Sequence, residues 1–193
     1  MLITYSDLSS VPLRKSFNES SSTILRNAAA SFQETRIYDI FISHSYSDSD
    51  QILKLSTYLE DRGFSTYVDW LRDRELDRSN VNSATAGTLR ARMKSCRSLV
   101  YVASENAVDS KWMPWELGYF DALKGKVAIL PVVAGSHSDE YHGREYLGLY
   151  PYVTSGDTRG KKPALWVHES AERYVNMELW LKGEKPERHP SDV

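Results

Sequence analysis

The chain has 193 residues, 41% of them hydrophobic and 26% charged, with a formal net charge of -2, which suits one soluble domain with its own core plus an extra segment. The mildly acidic balance, without any cluster of Lys and Arg, argues against a surface for nucleic acid or for an anionic membrane, so neither is an expected partner. Cys96 is the sole cysteine, so no intrachain disulfide can form and a reducing, cytoplasmic compartment is the default expectation.

Residues 1–36 are rich in Ser and carry no strand signal, and Met1–Ser10 lack a basic stretch leading into a long apolar run, so no secretion signal is expected. Within them, Leu25, Ala28, Ala29 and Phe32 recur at helical spacing over Thr23–Gln33. That stretch reads either as a short amphipathic helix packed on the main domain or a partner, or as a poorly ordered leader. The extension gives way to the main domain, 37–183, and a polar tail follows at 184–193.

From Ile37 the pattern alternates. Ile37–Ser43 is the first expected strand; Ser47, Asp48, Ser49 and Asp50 then offer helix caps and first-turn acids. Ile52, Leu55 and Leu59 share one helical face, and Gly63 marks the stop. Phe64–Val68 is a second strand, and Asp69–Asn82 a long charged loop. Ser83–Ser95 reads as a helix with Ala84, Leu89 and Met93 inward, Ser98–Ala103 as a third strand. A helix is clear from Pro114, which suits a first turn, and stops at Gly125. Val127–Val133 is a fourth strand; its apolar run, broken by Pro131, is far short of the roughly 20 residues a membrane-spanning helix needs. Residues 135–162 look irregular, Ala164–His168 is the expected fifth strand, and Ser170–Lys182 a last helix. Strands apolar on nearly every residue, separated by helices, imply a flavodoxin-like, doubly wound, five-stranded parallel sheet.

In such sheets ligands bind beyond the carboxyl ends of the strands. That places Ser43 and His44 after the first strand, Asp69 and Trp70 after the second, and the segment leading to Trp112 and Glu116 after the third around one cleft. The glycine-rich phosphate cradles and the G-x-S-x-G elbow are absent. The five His and one Cys show no metal-ligand spacing, so neither metal nor cofactor is expected. A phosphoacceptor receiver domain would place an Asp at the end of the third strand, where Ala103-Ser104 stand.

Asp39-Ile40-Phe41-Ile42-Ser43-His44-Ser45 resembles the first-strand signature of TIR (Toll/interleukin-1 receptor) domains. Ser110-Lys111-Trp112-Met113-Pro114-Trp115-Glu116-Leu117-Gly118 resembles the W-x-x-x-E region of bacterial members. The resemblance covers about residues 37–170 and leaves the N-terminal 36 outside it. It implies the TIR fold, and hydrolysis or cyclisation of NAD⁺ as substrate. The physics agrees. Nicotinamide in NAD⁺ is already a cationic leaving group and departs without protonation, so a single carboxylate can carry the task by stabilising the positive charge left on the ribose.

Glu116 lies one helical turn after Trp112, on the same face. Without the resemblance it reads as a first-turn acid complementing the helix dipole. With it, Glu116 is the expected catalytic residue and Trp112 a pocket wall. Ser43 and His44 either contact the nucleotide or form a local turn; they do not make a nucleophilic pair, since adjacent residues on an extended segment point opposite ways. Trp70 either stacks on a ring of the substrate or tucks against the sheet, and Arg72, Arg74 and Arg78 sit in the loop that in the family gates the site and makes TIR–TIR contacts. The Tyr-rich stretch 141–152 either closes one side of the pocket or binds a partner.

The leading expectation is an NAD⁺ glycohydrolase or ADP-ribose cyclase, similar to signal-producing TIR proteins of anti-phage systems such as Thoeris. There the product activates a separate effector. The rivals are a catalytically silent adaptor acting by homotypic contacts, and an enzyme active only on self-association.

Overall fold

The computed structural model describes residues 1–12, 36–68, 83–135 and 140–189. The helix expected over 23–33 and the charged loop with Asp69, Trp70, Arg72, Arg74 and Arg78 lie outside these described residues.

The chain opens on a two-residue strand, Ile3–Thr4 (β1), and a short helix, Tyr5–Ser9 (α1). A capping box starts that helix: Thr4 Oγ1 accepts from the Asp7 N–H and Asp7 Oδ2 from the Thr4 N–H. The expected alternation then appears as Tyr38–Ser43 (β2), Ser49–Glu60 (α2), Thr66–Val68 (β3), Ser83–Lys94 (α3), Cys96–Ala103 (β4), Trp112–Lys124 (α4) and Val127–Val133 (β5). Helix α4 stops because Gly125 takes the left-handed conformation (φ 59°) and turns its N–H back to the Asp121 carbonyl.

Beyond β5 the sequence reading needs correction. The fifth parallel strand is Tyr152–Asp157 (β6), inside the stretch expected to be irregular. It pairs with β5 at Ile129↔Tyr152. Pro163–Ser170 (β7), which contains the expected fifth strand, runs antiparallel to β6. An apolar run carries no direction of its own. What decides direction is the tight turn at 158–162, where the Thr158 N–H bonds to the Lys162 carbonyl, because only antiparallel neighbours can be joined so briefly. The helix expected over 170–182 is a strand, Arg173–Asn176 (β8), followed by the five-residue helix Met177–Leu181 (α5). Asn176 sets that late start by accepting from the Glu178 N–H at 2.8 Å. The tail, too, is partly structured: Glu187–Arg188 (β9) pairs with β8, and His189 stacks on Tyr174 with centroids 4.0 Å apart.

The sheet order is β3-β2-β4-β5-β6-β7-β8-β9. Its first five strands are parallel and give the flavodoxin-like order 2-1-3-4-5 when numbered among themselves. Strand β1 pairs with the carboxyl half of β5 (Ile3↔Val132, Thr4↔Val133), while the Ser155 N–H of β6 bonds to the Met1 carbonyl. The first residues therefore fill the gap where β5 and β6 diverge, and Leu2, Ile3 and Leu8 are buried. A two-residue strand is too short to show a period.

Alternation divides the core between the two faces. Ile40, Ile42, Val100, Leu130 and Val167 pack with α1, α2 and α5. Phe41, Leu99, Tyr101, Ile129 and Tyr152 pack with α3 and α4. Cys96 is fully buried among them, as a small apolar residue.

Candidate active site

The site lies under the carboxyl ends of β2 and β4, on the face covered by α4. The buried positions of α4 are Met113, Glu116, Leu117 and Phe120, the spacing of a core-facing stripe. Glu116 thus occupies a place where packing alone calls for an apolar side chain. A carboxylate there is tolerable only if it is hydrogen-bonded. Ser43, the last residue of β2 and on the same face as Phe41, supplies that bond: its Oγ–H donates to Glu116 Oε2 at 2.5 Å, and both side chains are buried.

His44 follows but is turned to the backbone, its Nδ1–H donating to the Ile42 carbonyl at 3.0 Å, which fixes its tautomer. The loop then forms a 3₁₀ turn, Tyr46–Asp48. Asp48 stands at the start of α2, as the cap pattern suggests, but its carboxylate makes no capping bond. It accepts from Ser104 Oγ at 2.5 Å and from Asn106 Nδ2 at 2.6 Å, and is 2% exposed. Asp48 therefore ties the loop after β2 to the loop after β4. Sequence reasoning missed this role, because an acid in a Ser/Asp run before a helix signals a cap and nothing more.

Tyr101, in β4, is the register partner of Ser43 and is buried. Burial, chiefly, pushes its phenol well above the ordinary tyrosine range; neighbouring Tyr146, Tyr141 and the Glu116 carboxylate add to the effect. Ser43, Tyr101 and Glu116, from three separate segments of the chain, are thereby gathered. The Tyr-rich stretch closes this side of the site. It runs through a 3₁₀ turn, Glu145–Leu149, and is fastened to α4 by the Tyr150 O–H, which donates to Asp121 Oδ2 at 3.0 Å. Gly143 makes the turn possible: a Cβ there would lie 2.5 Å from the Gly148 nitrogen. Tyr141 also packs on Tyr152, and the two rings line a groove of about 320 Å³ with Glu140, His142 and Glu172.

Trp112 is half-buried at the head of α4. It meets Trp115 edge-on (5.6 Å, 85°), Trp115 stacks on Tyr119, and Arg90 of α3 lies 5.6 Å from the Trp115 ring. The Trp112 indole N–H is buried and has no hydrogen-bond partner among the described residues. Of the residues singled out from the sequence, Ser43 and Glu116 are in contact, Trp112 lies one turn away, and His44 adjoins Ser43. Asp69 and Trp70 lie outside the described residues. Among the described residues no group of His, Cys, Asp and Glu is placed to hold a metal ion, and no helix is long and apolar enough to cross a membrane.

Residues 40–161 match the family model described as TIR domain. The chain is 51% identical over 166 residues to a protein of Bacillus cereus (strain MSX-D12) named "Probable 3' cyclic ADP-D-ribose synthase ThsB'", with 86% of each chain covered. It is 31% identical over 125 residues to a protein of Cytobacillus dafuensis provisionally named a cyclic ADP-D-ribose synthase, covering 56% of this chain and 33% of that one. Among solved structures it is similar to the TIR domain of the Toll-related receptor TRR-2 from Hydra magnipapillata, with 18% identity, 54% of this chain and 76% of that one covered, and a TM-score of 0.38.

Proposed function

The chain belongs to the TIR domain family, and on that premise we propose that it cleaves NAD⁺ between nicotinamide and ribose and closes the remaining ADP-ribose into a cyclic product. The observation that carries this reading is the carboxylate of Glu116 on the core-facing stripe of α4, held by the Ser43 hydroxyl. A buried acid on a core-facing stripe is costly, and its retention points to chemistry.

The mechanism follows from the leaving group. The bond from the ribose anomeric carbon to nicotinamide breaks with its electron pair going to nicotinamide, which departs neutral. Positive charge develops on the ribose, and the Glu116 carboxylate stabilises it at short range in a site shielded from water. Ser43 fixes the carboxylate's direction. Trp112 walls one side of the ring, with Asp69, Trp70 and His44 as further substrate contacts. An internal nucleophile of the same ADP-ribose then supplies the electron pair of the new bond and gives up its proton. The names of both relatives support ring closure over simple hydrolysis. The protein's setting, in this reading, is the cytoplasm of a cell under phage attack. Copies associate through TIR–TIR contacts, and the product activates a separate effector.

The test is to incubate the purified chain at high concentration with NAD⁺ and follow nicotinamide and the ADP-ribose products by chromatography and mass spectrometry. Wild type releases nicotinamide and a folded Glu116→Gln variant does not. Equal release by both removes the assignment of Glu116; no release at any protein concentration leaves the adaptor reading in its place.

A further inference from the structure

The other wall of the site is made of tyrosines. Across the sheet, Ser43, Tyr101, Ile129 and Tyr152 are successive register partners, so they form one row on the face toward α4. Tyr101 stands directly beside the residue that holds Glu116. Its ring is 3% exposed, yet its phenol is close enough to the Glu116 carboxylate and to the Tyr146 phenol to feel both electrostatically. Tyr146 comes from the fastened turn and is 40% exposed, so it spans from the buried end of the wall to the rim. Tyr141 and Tyr152 continue the wall outward, with ring centroids 6.1 Å apart.

A wall of this kind has two physical properties. Its ring faces exclude water and offer surfaces on which a purine can stack. Its hydroxyls point polar atoms at chosen places, and a phenol next to a carboxylate is retained in a buried row at a cost that phenylalanine would avoid. Both properties bear on one moment of the reaction, when nicotinamide has left and the anomeric carbon awaits a nucleophile. Water gives linear ADP-ribose: a new C–O bond forms with water's electron pair and one proton is released. An internal atom of the adenosine half gives the cyclic product, again with loss of one proton. The outcome depends on which nucleophile stands at the carbon.

Resting on the NAD⁺ reading above, we infer that the Tyr101–Tyr146 pair is the specificity determinant of that step, holding the adenosine half folded back over the ribose and keeping water out. These are positioning residues. Glu116 carries the charge, whereas the tyrosines choose the product.

The test uses the full chain with NAD⁺ and reads the ratio of cyclic to linear ADP-ribose in Tyr101→Phe, Tyr146→Phe and Tyr146→Ala variants. The ratio is internal to each reaction, so a fraction of unfolded protein leaves it unmoved, and Tyr146 at the rim tolerates substitution if Tyr101 does not. The ratio falls about tenfold in each variant, the change given by moving the two capture barriers apart by about 1.4 kcal/mol. A wild-type ratio in the folded variants overturns the inference while leaving the NAD⁺ reading intact. Absence of nicotinamide release by wild type removes both.

Discussion

Ser43 and Glu116, 73 residues apart in the chain, meet through a 2.5 Å hydrogen bond in which the serine hydroxyl donates to the carboxylate. One is the last residue of β2 and the other lies in the second turn of α4, so the bond joins the two segments that most resemble the TIR family. Its consequence is mechanical. A buried carboxylate held by a donor from the neighbouring strand is kept in a defined orientation, and a direction is what charge stabilisation at a single carbon requires.

The first prediction concerns that direction. Ser43→Ala removes the donor and leaves the carboxylate in place. Turnover should fall by about 10- to 100-fold, in line with the loss of one oriented hydrogen bond to a charged group, with little change in KM. Glu116→Gln should lose far more, since it removes the charge itself. Steady-state nicotinamide release measures both. Equal losses in the two variants would mean that Ser43 acts on the reaction directly and not through Glu116.

Asp48 supports the second prediction. Its carboxylate accepts from both Ser104 and Asn106 in a place almost without solvent. Asp48→Ala strands both donors and should destabilise the fold by about 1–3 kcal/mol, visible as a lower urea midpoint. Asp48→Asn keeps one acceptor oxygen and should recover part of that loss. Because the two loops it joins lead to Ser43 and to α4, nicotinamide release should fall with the bond and return partly in the Asn variant. An unchanged midpoint in the Ala variant would sink this reading.

How legible this was differs by element. The strands β2, β4 and β5 were readable because apolar runs bounded by caps and glycines define buried parallel strands. Glu116 was singled out because family resemblance overrode the plainer reading of a first-turn acid; its burial against Ser43 is what the structure adds. The half after Val133 was not. Tyr152–Asp157 ends in Ser, Gly and Asp, composition typical of a loop, and becomes a strand only because β5 and β7 offer hydrogen bonds on either side. Tyr101 looked like one more apolar strand residue. Its place beside Ser43 depends on the register between two strands nearly 60 residues apart, which no local pattern encodes. Asp48 was hidden for the same reason, since its partners are tertiary.

The third prediction tests the face that carries the site. Phe120 is fully buried on α4 and packs under the row holding Tyr101, whereas Leu123 on the same helix is 38% exposed. Phe120→Ala should cost about 3–5 kcal/mol and Leu123→Ala much less. Paired denaturation curves decide it; similar losses would show that α4 does not bury the face described.

The fourth prediction is a pH dependence, and its sign comes from the tyrosines. Burial raises the phenols of Tyr101, Tyr141, Tyr150 and Tyr5 above their ordinary value. A group whose folded pKa exceeds its unfolded one holds its proton longer in the folded state. Below the unfolded pKa of about 10 both states are protonated and nothing changes with pH. Above it the unfolded chain ionises first, so stability falls as pH rises. Lys124 and Lys126 act the other way, because burial lowers their pKa and stability gains as they deprotonate ahead of the unfolded chain. The lysine gain comes first and the tyrosine loss overtakes it above about pH 10. Tyr101, the most buried of the four, should contribute the most, up to about 1.4 kcal/mol per pH unit. Urea midpoints from pH 8 to 11 should therefore drop more steeply for wild type than for Tyr101→Phe, whichever of the two is more stable at neutral pH. Parallel curves would mean that the Tyr101 phenol ionises alike in both states, and the enclosed wall beside Glu116 would then be open to water.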